Sequence, residues 1–306
     1  MMPPPRAEVG IGDALAWRCV THALAPATRP LVMGIVNVTP DSFSDGNRYL
    51  DPHDAIAHAR QLITDGADIV DVGGESTRPG ARAVSEAVEL ERVLPVIEAI
   101  AALPESPSGN PVLISIDTTK AAVAEAAVAC GATIINDVSA MTADDRMRAV
   151  ASATGAGVVL MHMQGDPRTM QGRPRYDDAL QDVATYLSRR IDELVAAGLD
   201  PDTIAVDPGI GFGKDLNHNL DLLAGIPQLS GLGRPVVIGL SRKSMLGRIT
   251  GREVGERLAG SLALLAYCVM RGAHVMRVHD VRESVDALAI LKMVQAREQE
   301  AQHADI

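Results

Sequence analysis

The sequence predicts an α/β fold, a single (β/α)8 TIM barrel behind a short N-terminal extension. Three observations predict it. Eight short apolar runs alternate with longer helical patterns; a glycine recurs at five of the junctions where a helical stretch gives way to the next run; and polar residues collect at the C-terminal ends of the runs. Eight such units over roughly 270 residues suit a barrel, which typically takes about 250. A doubly wound sheet stays open as an alternative, because strand order is not written in one sequence.

Residues 1–30 contain no βα unit and read as an extension with a short hairpin; 31–298 form the barrel domain, and 299–306 a C-terminal tail. The expected strands are 31–38, 68–73, 112–117, 132–136, 157–161, 203–207, 235–240 and 274–278. Near-continuous apolar runs of this kind suit parallel strands covered on both faces. Asp51-Pro52 supplies a cap and a first-turn proline ahead of a helix over 54–65. Segment 104–111 is a surface loop, and Asp280 with Glu283 resembles a capping box opening the last helix, 281–297. Gly66, Gly131, Gly155, Gly198 and Gly272 each stand between a helix and a strand, as left-handed helix stops do. The stretch 255–271 is apolar on most sides, so it needs cover on both sides, either from the barrel or from a second subunit.

Composition narrows the classes. A chain of 306 residues with 47% hydrophobic content buries a core that needs no staples, and its three cysteines (Cys19, Cys130, Cys268) show no CxxC spacing. A net charge of −11 argues against nucleic acid. The longest apolar run, 259–270, is too short for a bilayer, and the first residues lack the apolar stretch of a secretory signal. The expectation is a soluble, cytoplasmic enzyme with no membrane or nucleic-acid partner. Only four of the 28 basic residues are lysine, and three of them (Lys120, Lys214, Lys243) follow expected strands.

In a barrel, chemistry sits on the loops after the strands. The strand ends present Asn37, Gly73-Gly74-Glu75, Asp117, Asn136, His162, Asp207, Ser241-Arg242-Lys243, and Arg277 with His279 and Asp280. Helix capping explains Asp117 and Asp137 equally well. Asp207 is different, because Pro208 and glycines follow it, and a carboxylate ending an apolar strand needs donors facing it. The two phenylalanines, Phe43 and Phe212, both fall in strand-end loops, where stacking on a flat ligand suits them. Arg78, Arg242, Lys243, Arg277 and His279 would gather positive charge at the mouth of an acidic protein. Together these features describe a flat, hydrogen-bonding, phosphorylated or pyrophosphorylated substrate. DPGIGFGK fits neither GxGxxG nor GxxxxGK[ST], and the first strand lacks the HxH of a zinc amidohydrolase.

MGIVNVTPDSFSDG, DVGGESTRPGA, SIDT, INDVS, LMHMQGDPRTMQ, DPGIGFGK, SRKS and RVHDV resemble, in order and spacing, the signature segments of the dihydropteroate synthase family, across about residues 31–290. The resemblance implies an enzyme joining 6-hydroxymethyl-7,8-dihydropterin pyrophosphate to p-aminobenzoate with Mg2+, and a homodimer formed through helices late in the barrel. Position by position it implies that Asn37 contacts the metal and diphosphate, and that Asp117, Asn136, Asp207 and Lys243 hold the pterin, with Met161 lining its pocket. Arg277 and His279 would bind the diphosphate. Phe43, Asp45, Thr77, Arg78, Pro79, Phe212 and Ser241 would surround the aminobenzoate and the closing loops. Asp117, Lys243 and Arg277 are the residues expected to act on the reacting groups. Other readings are a Schiff-base aldolase using Lys243, a related pterin-binding methyltransferase or carrier, and a pterin-binding protein without turnover.

Overall fold

Side chains along a strand alternate between its faces, and in this chain both faces of most strands are apolar. The computed structural model describes residues 15–25, 29–39, 52–76, 83–103, 111–165, 170, 172 and 174–304. A hairpin of β1 (Trp17–Cys19) and β2 (His22–Leu24) precedes eight barrel strands. These are β3 (Leu31–Asn37), β4 (Ile69–Gly73), β5 (Leu113–Asp117), β6 (Ile134–Asp137), β7 (Gly157–Met161), β8 (Ile204–Asp207), β9 (Val237–Gly239) and β10 (Val275–Val278). All eight pair in parallel in chain order, β10 returns to β3, and a parallel bridge between Val206 and Val236 completes the ring. The doubly wound alternative is thereby excluded. The fold is a TIM barrel, and each strand starts and ends within two residues of its expected limits.

Around it run α1 (Pro52–Thr64), α2 (Glu86–Ala101), α3 (Ala121–Ala129), α4 (Met147–Thr154), α5 (Ala179–Ala196), α6 (Leu216–Ala224), α7 (Ile226–Ser230), α8 (Ser244–Thr250), α9 (Leu258–Met270) and α10 (Val281–Ala304). The five junction glycines all take left-handed φ, between +66° and +115°. Asp51 and residues 104–110 lie outside the described residues. Two expectations change. The last helix continues beyond 297, through helix-forming residues and an Arg297–Glu300 ion pair of 2.8 Å, so the expected tail from 299 is helical as far as Ala304. The Asp280 carboxylate turns to Arg242 rather than back onto the start of α10.

Outward residues such as Val36, Val70, Val72, Ile114, Ile135 and Leu160 pack with the helices. The inward set begins with an apolar layer at the N-terminal end: Met33, Ile69, Leu113, Ile134, Val159, Ala205, Val237 and Val275. Trp17 and Cys19 of the hairpin join this layer, and the fully buried Trp17 donates its Nε1 hydrogen to the Thr203 carbonyl at 2.8 Å. Gly157 makes the space, since a Cβ there would stand 2.5 Å from Cys19 Sγ. The hairpin is therefore a plug. An indole buries roughly 200 Å2, worth on the order of 5 kcal/mol as an upper estimate. Further along most strands the inward column changes character.

Candidate active site

The second inward layer carries Asp71 and Ser115, neighbours across β4 and β5, both fully buried. The inward positions nearest the strand ends are Asn37, Gly73, Asp117, Asn136, Met161, Asp207, Gly239 and Arg277. Arg277 links the layers: its Nε donates to Asp71 Oδ2 at 2.6 Å and its Nη2 to Asp117 Oδ2 at 2.8 Å. Asn136 Nδ2 donates to the same Asp71 oxygen at 3.2 Å. Asp71 thus orients both an amide and a guanidinium. Burial works against charge on Arg277, yet Asp71 and Asp117 hold it charged well above its usual range. Burial, with Asp71 and Glu89 adding to it against the pull of Arg277, pushes Asp117 up to about 7.

One cavity at the C-terminal mouth is lined by Asp117, Asn136, Met161, Asp207, Phe212, Lys243 and Arg277. Gly239 also lines it, where any side chain would take up space. Asp207 accepts from Gly209 N at 2.7 Å through Oδ1, which leaves Oδ2 for a ligand. Burial raises its pKa, while Gly209 and Lys243 act the other way. Lys243 is lowered by burial to about 8, with Asp207 opposing, and its Nζ sits 4.2 Å from the centre of the Phe212 ring. Arg242 just before it has φ +59°, a left-handed turn that costs a non-glycine residue about 1 kcal/mol. That turn sends Lys243 into the cavity and Arg242 out to Asp280.

At the rim, His279 donates its backbone N–H to Ser241 Oγ at 3.2 Å, and its Nδ1 lies 3.1 Å from the same oxygen. Asn37 stands half-buried at the end of β3, beside Gly73. Asp137 is a turn residue, accepting from Ser139 N, Ser139 Oγ and Met141 N. The mouth is less positive than expected, since Arg242 is paired with Asp280 and Arg277 with two aspartates. Of the three strand-end lysines only Lys243 lines the cavity: Lys120 pairs with Glu75 and Glu89, and Lys214 is buried under the loop after β8. Phe43, Asp45, Thr77, Arg78 and Pro79 lie outside the described residues.

The family model described as pterin binding enzyme matches residues 33–279. A dihydropteroate synthase of Escherichia coli strain K12 is 47% identical over 265 residues, covering 87% of this chain and 92% of that protein. The chain belongs to the dihydropteroate synthase family. Among solved structures, a Yersinia pestis dihydropteroate synthase in complex with a sulfonamide drug superposes with a TM-score of 0.85 at 42% identity, covering 92% of this chain and 99% of that one. The Xanthomonas albilineans enzyme with 4-aminobenzoic acid gives 0.84 at 44% identity, covering 93% and 99%.

Against that family, reading strand ends locates the cavity residues but misses Asp71 and Ser115. The available signal is the period of two: Asp71 shares the inward face with Gly73, one pleat deeper, and a lone acid inside the strand IVDVG marks a buried partner for a cation.

Proposed function

We propose that this chain condenses 6-hydroxymethyl-7,8-dihydropterin pyrophosphate with p-aminobenzoate, giving 7,8-dihydropteroate and pyrophosphate. The observation that carries the reading is the convergence of Asp117, Asn136, Asp207, Lys243 and Arg277 on one cavity. A pterin edge offers N–H donors, and Asp207 can accept them through Oδ2 in a site shielded from water. Asn136, with one Nδ2 hydrogen given to Asp71, presents its amide oxygen and second hydrogen. Lys243 donates to the ring and orients it.

The reaction breaks the bond between the pterin methylene carbon and the diphosphate oxygen and forms one from that carbon to the aminobenzoate nitrogen, which gives up a proton. The methylene is attached to an electron-rich ring, so positive charge develops there as the diphosphate leaves. Asp117 stabilises that charge, and the two carboxylates on Arg277 leave its Nη1 corner to meet a phosphate oxygen beside His279. A neutral arylamine is nucleophilic enough to need no strong base. Phe212 and Ser241 lie toward the aminobenzoate, with Phe43, Asp45, Thr77, Arg78 and Pro79 assigned there by the family motifs. Sulfonamides would compete at that position.

Magnesium fits the donor set. Among the described residues no three carboxylate, imidazole or thiolate side chains form a metal cluster. Mg2+ keeps several waters and takes phosphate oxygens, with one or two protein ligands; the Asn37 amide oxygen would serve as one. When bound, the ion supplies positive charge to the leaving diphosphate.

The homodimer reading is supported by the exposed apolar side chains of Ile249, Tyr267, Met270, Ile290, Met293 and Val294 on α8, α9 and α10. No described helix is long and apolar enough to cross a membrane, and a cytoplasmic location accords with the composition. The deciding experiment mixes protein, pterin pyrophosphate, p-aminobenzoate and Mg2+ and looks for dihydropteroate. Pterin binding without product would mean a non-catalytic binder; neither would overturn the reading altogether.

A further inference from the structure

We propose that Lys214 is a positioning residue of this site that acts through Phe212. Its ammonium ties the Phe212 carbonyl to the end of β7 and so fixes the aromatic wall beside Lys243. The proposal rests on the reading that Phe212 lines the aminobenzoate position.

Lys214 is only 2% exposed, and burying an ammonium is costly unless its hydrogens are all used. An ammonium has three N–H donors, and three acceptors surround this one: the Phe212 carbonyl at 2.9 Å, His162 Nδ1 at 3.0 Å and the His162 carbonyl at 3.2 Å. The match requires His162 to be neutral with its proton on Nε2. Burial, and then the charge of Lys214, lower its pKa to about 3, which keeps it so; burial also lowers Lys214 to about 7, against the pull of Asp207, so the three bonds are complete in its charged form.

His162 is itself a fixed post. Its backbone N–H donates to the Asp207 carbonyl at 2.9 Å, and its ring meets Tyr186 edge-on at 4.9 Å. The loop after β8 is pressed onto that post: Gly209 has φ +70°, and a Cβ there would stand 1.9 Å from the His162 carbonyl oxygen. Asn219 Oδ1 accepts from Gly211 N at 2.7 Å, and Tyr176 donates to the Gly213 carbonyl at 2.9 Å. Phe212 lies between these ties, and Lys214 is the side chain that holds its own carbonyl. Releasing it lets the ring leave its place 4.2 Å from Lys243 Nζ.

The test compares Lys214→Met, Phe212→Ala and the double variant by steady-state KM for p-aminobenzoate, with calorimetric binding of 6-hydroxymethylpterin as a readout independent of turnover. Lys214→Met is expected to raise that KM about tenfold while pterin affinity stays within about twofold. Because Lys214 acts through Phe212, the double variant should be no worse than Phe212→Ala alone. Additive losses, an unchanged KM in Lys214→Met, or a parallel loss of pterin affinity would overturn the proposal. If Phe212→Ala itself leaves the KM unchanged, the assignment of Phe212 falls instead. Should Lys214→Met not fold, His162 carries the same question: His162→Asn keeps an acceptor and should retain the KM, whereas His162→Leu removes one and should raise it. Equal values for those two variants would sink the idea.

Discussion

The two ends of this barrel are built from the same strands and differ in what fills them. At the N-terminal end the inward column is Met33, Ile69, Leu113, Ile134, Val159 and their neighbours, sealed by Trp17. Four residues along, the same column reads Asn37, Gly73, Asp117 and, in β10, Arg277 only two residues on from Val275. One end spends its side chains on packing. The other holds Asp71, Asp117, Asp207, Lys243 and Arg277 at the expense of desolvation, since burial shifts Asp117 and Lys243 toward their neutral forms. Stability and chemistry are thus separated along the barrel axis, and substitutions at the two ends should have opposite signatures.

The sharpest contrast is Trp17→Ala. It should lower unfolding free energy by about 3–5 kcal/mol while leaving KM values nearly unchanged in protein that remains folded; chemical denaturation beside kinetics tests this. A loss of pterin affinity at constant stability would break the separation. Next comes Asp207→Ala, or Lys243→Ala, which should cost at least about 2 kcal/mol of pterin binding, some thirtyfold, with thermal stability kept or raised. Calorimetry and a melting curve on one preparation decide it.

A third prediction uses pH. Burial lowers Lys243 from 10.5 to about 8, so the unfolded chain binds that proton more tightly than the folded one. Its contribution to stability therefore rises with pH between those values, while pterin affinity falls as the ammonium loses its charge. Lys243→Met should remove that part of the rise, and an unchanged profile would refute it. Pterin affinity should also fall in acid, as Asp207, whose pKa burial raises, takes up a proton. The smallest effect is expected far from either end: Met293→Glu on exposed α10 should change folding stability by no more than about 0.5 kcal/mol, yet shift a dimer to monomer in sedimentation.

Much of the molecule is legible in one dimension because its elements obey short-range rules. Apolar runs mark strands covered on both faces, and each junction glycine announces a helix stop that the backbone then adopts. The cavity residues are legible because barrels expose strand ends. What is not legible depends on pairing through space. Whether Arg242 meets a substrate or Asp280, and whether Arg277 stands free or bridges Asp71 and Asp117, is decided by residues 38, 206 and 160 positions away. Asp71 was hidden one pleat below the strand end. The plug was hidden because a hairpin acquires a role only once a ring exists for it to close.

That plug has a consequence for how the chain is made. Trp17 leaves the ribosome long before its hydrogen-bond acceptor, Thr203, which lies 186 residues later. The indole must wait, solvent-exposed or loosely collapsed, until most of the staves are in place. It is also the chain's sole tryptophan. Its fluorescence therefore serves as a built-in clock for sealing the bottom of the vessel, and in refolding its change should lag the growth of helical circular dichroism.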